Sequence, residues 1–160
     1  MGKILSRDAL KQEIGRLKRE GRKIAFTNGC FDILHVGHVR YLREAAKMGD
    51  ILVLALNSDA SVRAIKGDKR PLVPEDERAD VVAALECINY VTIFDELTPL
   101  ELIEYLQPDV IIKGGDWAEE NVVGRDAVRQ WGGRVAIIPE ISGVSTTNIV
   151  EKIMKVYGDT

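Results

Sequence analysis

Cysteine is scarce. The chain holds two, Cys30 and Cys87, one inside a glycine-containing turn and one in a helical pattern, so no disulfide framework or C-x-x-C metal site is expected. Histidine is equally scarce. His35 and His38 are the only two, too few for a structural zinc site. Basic charge is not in excess: the formal net charge is −3, which argues against a general nucleic-acid binder. No aromatic–basic platform for single strands is present either. No apolar run is long enough to span a bilayer, and the N-terminus lacks a signal-peptide apolar core. The expectation is a cytoplasmic protein with no nucleic-acid or membrane partner. Repeats, linkers and low-complexity stretches are also missing. So are the G-x-x-x-x-G-K-[ST] phosphate loop, the G-x-G-x-x-G dinucleotide turn and the G-x-S-x-G nucleophile elbow.

What is present is ordinary globular composition, 46% hydrophobic and 29% charged, in a length that suits one domain. We expect a single domain over residues 1–160, with a helix in residues 1–21 appended to a core over 23–157. Ser6 caps the first helix, Leu10, Ile14 and Leu17 recur at helical spacing, and Gly21 stops it. Apolar runs at 23–27, 51–56, 90–94, 109–113 and 134–138 read as strands buried on both faces. Helical patterns separate them. Val81, Val82, Leu85 and Ile88 form the apolar face of one, near whose start Arg78 points either inward or into water. The alternation predicts an α/β fold: a doubly wound parallel five-stranded sheet with helices on both faces, plus the N-terminal helix.

The chain is organised around the stretch from Thr27 to His38, between the first long strand and a helix. Strand, glycine turn and helix start bring backbone N–H groups and a positive helix end to one spot, a ready anion site. Both histidines sit there. Their i, i+3 spacing allows both rings onto one side of the first turn, and Gly37 removes a side chain that would block a ligand. Other strand ends carry polar groups, where ligands of open α/β sheets bind. Asn57-Ser58-Asp59 follows the second run and Gly114-Gly115-Asp116-Trp117 the fourth. Residues 60–74 are basic, with Arg63, Lys66, Lys69 and Arg70 around Gly67. They read either as a solvated loop or as a mobile cationic loop over a phosphate site. Ser145-Thr146-Thr147 opens the last helix, as caps or as neutral donors to a phosphate. This inventory suits phosphoryl-group chemistry without a covalent intermediate.

The pair of motifs, His35-Val36-Gly37-His38 after Gly29-Cys30-Phe31-Asp32 and the late Ser145-Thr146-Thr147, resembles the cytidylyltransferase-like branch of the nucleotidyltransferases, which have a Rossmann-like fold. Within it, Thr27-Asn28-Gly29, Asn57-Ser58-Asp59, Lys66-Gly67, Arg70-Pro71 and Lys113-Gly114-Gly115-Asp116 are similar to the D-glycero-β-D-manno-heptose 1-phosphate adenylyltransferases. The likeness runs from about residue 23 to 155. The sugar-kinase part of the bifunctional form has no counterpart in these residues, so a separate kinase is expected to supply the sugar phosphate. The resemblance implies transfer of AMP from ATP to the heptose 1-phosphate, giving ADP-heptose and pyrophosphate. It implies Mg²⁺ held by phosphates rather than by protein ligands, and a homodimer. His35, His38 and Lys66 would be catalytic. Asn28, Gly29, Cys30, Phe31, Gly37, His38, Gly115, Asp116, Trp117, Ser145, Thr146 and Thr147 would line the nucleotide. Asp32, Asn57, Asp59, Lys69, Arg70 and Lys113 would meet the acceptor. Cys30 fills the variable position of G-x-F-D and reads as a small packing residue. A CTP enzyme acting on glycerol 3-phosphate and a non-catalytic nucleotide sensor are the competing readings.

Overall fold

Continuous apolar runs, rather than alternating ones, are what a parallel sheet covered on both faces requires. The computed structural model describes residues 1–115, 117–139 and 144–158. Its elements run β1 (Lys3–Ile4), α1 (Arg7–Arg19), β2 (Ile24–Gly29), α2 (Val36–Ala46), β3 (Ile51–Asn57), α3 (Asp59–Lys66), α4 (Glu75–Ala83), β4 (Tyr90–Phe94), α5 (Leu100–Leu106), β5 (Val110–Gly114), α6 (Arg125–Gln130), β6 (Arg134–Ile138) and α7 (Thr146–Tyr157). Among the described residues the strands form one six-stranded sheet in the order β1-β4-β3-β2-β5-β6, with every pair parallel. The five expected strands are all there. The sixth, β1, is a two-residue edge strand beside β4, too short to carry a readable period.

Successive strand residues point to opposite faces, and each face has its own core. Ile24, Phe26, Val53, Ala55 and Phe94 pack with Leu10, Ile14 and Leu17 of α1, Leu102 and Leu106 of α5 and Val128 of α6. Ala25, Leu52, Leu54, Leu56 and Ile112 pack on the other face with Leu42 of α2 and Val82 of α4. Ser6 caps α1, its Oγ accepting from Ala9 N. The helix thus lays three fully or nearly buried apolar side chains onto the sheet.

Two local readings differ. The basic stretch begins as a helix, not a loop: Ser58 caps α3 by accepting from Ser61 N, and Lys66 closes its last turn. In α4 the inward residues are Arg78, Ala79, Val82 and Ala83, while Val81 is 48% exposed. The inward face is turned so that the arginine, not the valine, enters the protein, because hydrogen-bond acceptors wait for it there.

The chain goes from β2 outward to β3 and β4, then returns to place β5 on the other side of β2. The strand order therefore reverses between β2 and β5, which opens a crevice at their carboxyl ends. Thr27 lies opposite Ile112, so Asn28 and Lys113 come level at that edge.

Candidate active site

β2 ends at Gly29, where a Cβ would stand 2.7 Å from the Phe31 ring. Phe31 itself has φ +44°, a left-handed conformation that non-glycine residues rarely adopt. That turn tucks its ring inward, 7% exposed, and tilts it against His38 with ring centroids 5.0 Å apart. His35 stands at the N-cap of α2 in extended conformation and makes no side-chain capping bond. The first-turn N–H groups of α2 are left for a ligand. A Cβ on Gly37 would meet the His35 ring at 3.0 Å, a tight approach that glycine avoids.

The two imidazoles stack, centroids 3.7 Å apart and planes 21° from parallel. Each has a buried Nδ1 without a hydrogen-bond partner among the described residues. Burial lowers the pKa of His35. Burial, reinforced by repulsion from His35, lowers that of His38 to about 4. Both rings are therefore neutral near pH 7, and each offers one N–H donor. Two neutral donors and a bare helix start form a site for an oxyanion.

These groups face a cavity of about 750 Å³. Of the residues expected along a nucleotide, Asn28, Gly29, Cys30, Phe31, Gly37, His38, Gly115, Trp117, Ser145 and Thr146 line it, and so does His35, expected to be catalytic. Asp116 lies outside the described residues, and Thr147 is exposed and away from the wall. Ser145 caps α7 by accepting from Asn148 N at 3.1 Å. Thr146 Oγ1 donates to Ile33 O at 3.4 Å, tying α7 to the histidine loop. Gly115 has φ +101°, and its N–H donates to Ile138 O at 2.9 Å. Reading the sequence missed Arg40, Tyr41 and Glu44, which give the cavity its α2 wall. The signal was available, since positions three, four and seven after Gly37 share its side of a helix. The Tyr41 hydroxyl hydrogen-bonds with Thr27 Oγ1 at 2.7 Å and donates to Ile112 O at 3.2 Å. Burial, partly offset by Thr27, raises its pKa to about 12. A Cβ on Gly114 would stand 3.0 Å from its ring, again a tight approach that glycine avoids.

The residues expected at the acceptor do not line this cavity. Four of them join a network beside it. Asp32, its side chain 1% exposed, accepts from the N–H groups of Leu72 and Val73, both at 2.9 Å, and from Arg70 Nε. Burial alone would raise its pKa, but the Val73 and Leu72 N–H groups and Arg70 outweigh this, and the net shift is downward. Arg78 is fully buried. Its Nε donates to Val73 O at 2.8 Å. Nη1 donates to Cys30 O at 2.6 Å and Asn57 O at 2.9 Å, and Nη2 to Asp59 Oδ1 at 2.7 Å. One guanidinium thus ties together the segments after β2, after β3 and before α4. The Asn57 side chain is itself committed, donating to Ser61 Oγ at 3.0 Å. Lys66 and Lys69 are exposed. Lys113 reaches Asn28 Oδ1 at 3.2 Å, and burial lowers its pKa. Burial likewise raises that of Cys30, against the pull of Lys66, Arg78 and Arg70, which keeps the thiol protonated.

Known proteins are similar to this chain. Residues 26–152 match the model of the family described as cytidylyltransferase-like. The bifunctional protein HldE of Geobacter metallireducens is 59% identical over 157 residues, 98% of this chain and 32% of that protein. Its namesake from Trichlorobacter lovleyi is 55% identical over the same shares. The chain spans about a third of the length of these curated relatives. Among solved structures, the lipopolysaccharide core biosynthesis protein from Thermoplasma volcanium superposes with TM-score 0.63 at 26% identity, covering 78% of this chain and all of that one. The pantoate-beta-alanine ligase from Francisella tularensis superposes with TM-score 0.68 at 11% identity, covering 99% and 78%, a likeness of fold alone. With the histidine motif at the switch point and the match running through nearly the whole sheet, the chain belongs to the cytidylyltransferase-like family of nucleotidyltransferases.

Proposed function

We propose that this chain transfers AMP from ATP to D-glycero-β-D-manno-heptose 1-phosphate, giving ADP-heptose and pyrophosphate for lipopolysaccharide core or related surface glycan synthesis. The observation that carries the chemistry is the stacked, neutral pair His35 and His38 over the uncapped start of α2. The identity to HldE proteins supports the substrate. The acceptor phosphate is already ionised near neutral pH, so its oxygen needs no general base. It attacks the α-phosphorus in line, the bond from that phosphorus to the bridging oxygen breaks, and pyrophosphate leaves with the electron pair. Catalysis then rests on positioning and on charge stabilisation. His35 and His38 donate to phosphate oxygens as charge builds. Asn28, Gly29, Phe31, Gly37, Gly115, Trp117, Ser145 and Thr146 hold the nucleotide in the cavity they line. Lys66, at the end of α3, neutralises the departing pyrophosphate.

The described residues contain no group of three or more His, Cys, Asp or Glu that could hold a metal ion. In this reading Mg²⁺ rides on the nucleotide's own phosphate oxygens, where it offsets their charge. No helix among the described residues is long and apolar enough to cross a membrane, and the substrates belong to the cytoplasm, where we place the protein. The homodimer implied by the resemblance is checked by sedimentation velocity, and a monomer at micromolar concentration removes it. The deciding assay is pyrophosphate release with Mg²⁺, ATP and the heptose 1-phosphate, run beside CTP with glycerol 3-phosphate. Turnover on the first pair alone is expected. Turnover on the second pair alone replaces the substrate assignment.

A further inference from the structure

We infer that Tyr41 is a further substrate-binding residue, its ring forming the platform on which the base of the nucleotide lies. The inference rests on the proposed function and assigns the base end of that same site.

The hydroxyl comes first. It donates to Ile112 O at 3.2 Å and hydrogen-bonds with Thr27 Oγ1 at 2.7 Å. Thr27 and Ile112 lie opposite each other on β2 and β5. The side chain therefore reaches from α2 to both strands that border the crevice. Thr27 is fully buried, and burial of the hydroxyl holds its pKa near 12. Tyr41 as a whole is only half-buried and lines the large cavity. What it leaves open to the cavity is ring, with the polar tip tied off behind. Such a surface suits a planar aromatic ligand. A sugar needs hydrogen-bond partners, and this hydroxyl has none to spare.

The position comes next. The oxyanion site lies at the start of α2, between the two imidazoles and the first-turn N–H groups. Tyr41 follows Gly37 by four residues, on the same side of the helix and about 6 Å along its axis. That is about the length of the ribose that separates an α-phosphate from its base. The ring also runs along Gly114, where a Cβ would stand 3.0 Å from Cε2 and 3.2 Å from Cδ2. The platform thus continues into the glycine pair that ends β5. Ile138 and Pro139 extend the wall at the end of β6, and Trp117, 52% exposed, adds an open indole after β5. Arg40 and Glu44 border Tyr41 on the wall, but both are exposed, and Glu44 is paired with Lys47 at 2.6 Å. The cavity is polar where phosphates bind and apolar one helical turn away. A nucleotide carries the same division along its own length.

Tyr41 takes no part in the bond changes. It holds the base by stacking, and through the base it fixes where the α-phosphorus stands.

The test compares Tyr41→Phe and Tyr41→Leu in the full chain, by calorimetric binding of ATP with Mg²⁺ and of inorganic tripolyphosphate. Both variants lose the hydroxyl and its two hydrogen bonds, so the phenylalanine variant controls for that loss. Only the leucine variant loses the ring. Tyr41→Phe is expected to keep ATP affinity within about threefold. Tyr41→Leu is expected to weaken it about tenfold or more, the scale of base–aromatic stacking. Tripolyphosphate has no base, and all three proteins are expected to bind it within about twofold of one another. Equal ATP affinity in the two variants overturns the inference. So does a parallel loss of tripolyphosphate binding in Tyr41→Leu, the mark of a distorted site rather than a missing platform. If Tyr41→Leu does not fold, Tyr41→Met fills the same space with a flexible, non-aromatic chain and meets the same two outcomes. A wild type that binds ATP but turns over no heptose 1-phosphate loses the proposed function, and binding alone still decides Tyr41. A wild type that binds tripolyphosphate as tightly as ATP makes no base contact, and the inference falls.

Discussion

His38 owes its charge state to where its ring sits. Burial and the stacked His35 hold its pKa near 4, so the folded protein binds the proton more weakly than the unfolded chain does. Between about pH 6.5 and 4 the unfolded state binds more protons, and stability therefore falls as pH falls through that window. Thermal unfolding across it is expected to show this slope, and His38→Gln to flatten part of it. With ATP saturating, His38→Ala is expected to lower kcat by about 100-fold or more, the scale of a lost transition-state donor. Near-wild-type turnover would remove His38 from the chemistry. Arg78 works differently. It donates to three backbone carbonyls and to Asp59 from a fully buried position. Arg78→Met strands those acceptors and is expected to cost about 3–5 kcal/mol, measured by denaturant unfolding. Arg78→Lys recovers little of it, because an ammonium cannot reproduce the planar fork. A loss under about 1 kcal/mol in either variant contradicts this account. The direction of Arg78 was open in the sequence, since nothing in a helical pattern reveals carbonyls contributed by Cys30 and Asn57.

At the scale of elements, α1 is the informative case. Its spacing of Leu10, Ile14 and Leu17 marked an amphipathic helix, but not what it covers. In the fold those side chains enter the same cluster as Phe26, Val53 and Phe94. Tyr90 donates to Glu13 at 2.6 Å, and Arg7 pairs with Glu96 and Glu101. Ile14→Ala is therefore expected to destabilise the whole domain by about 2–5 kcal/mol, in a single cooperative thermal transition. A separate early transition, with the main one unmoved, would make the helix an independent appendage. α7 contrasts with it. Ile153 and Met154 are 48% and 63% exposed, and no residue of this helix is buried. Its first turn is tied to the histidine loop beside the cavity, where Thr146 Oγ1 donates to Ile33 O.

For the whole molecule, the cavity draws its walls from β2, α2, the ends of β5 and β6 and the start of α7. A nucleotide that touches all of them binds only the folded chain. ATP at a hundredfold excess over its Kd is expected to add about 2.7 kcal/mol. At about 2–4 °C per kcal/mol for this size of chain, the melting temperature rises by roughly 5–10 °C in a thermal-shift measurement with ATP and Mg²⁺. The absence of a shift at saturating ATP would detach the cavity from the nucleotide. The amino-acid order alone determined five of the six strands, their parallel arrangement and the histidine motif at the strand-to-helix turn. Those features are local: apolar runs, caps and glycines act within a few residues of themselves. Tertiary structure decided the rest. It paired Asp32 with Arg70, drew Arg78 inward, gave Tyr41 a place in the wall and brought Lys113 to Asn28. Each of those outcomes joins residues far apart in the chain, and which partners meet depends on strand order and burial, quantities that exist only once the sheet has formed.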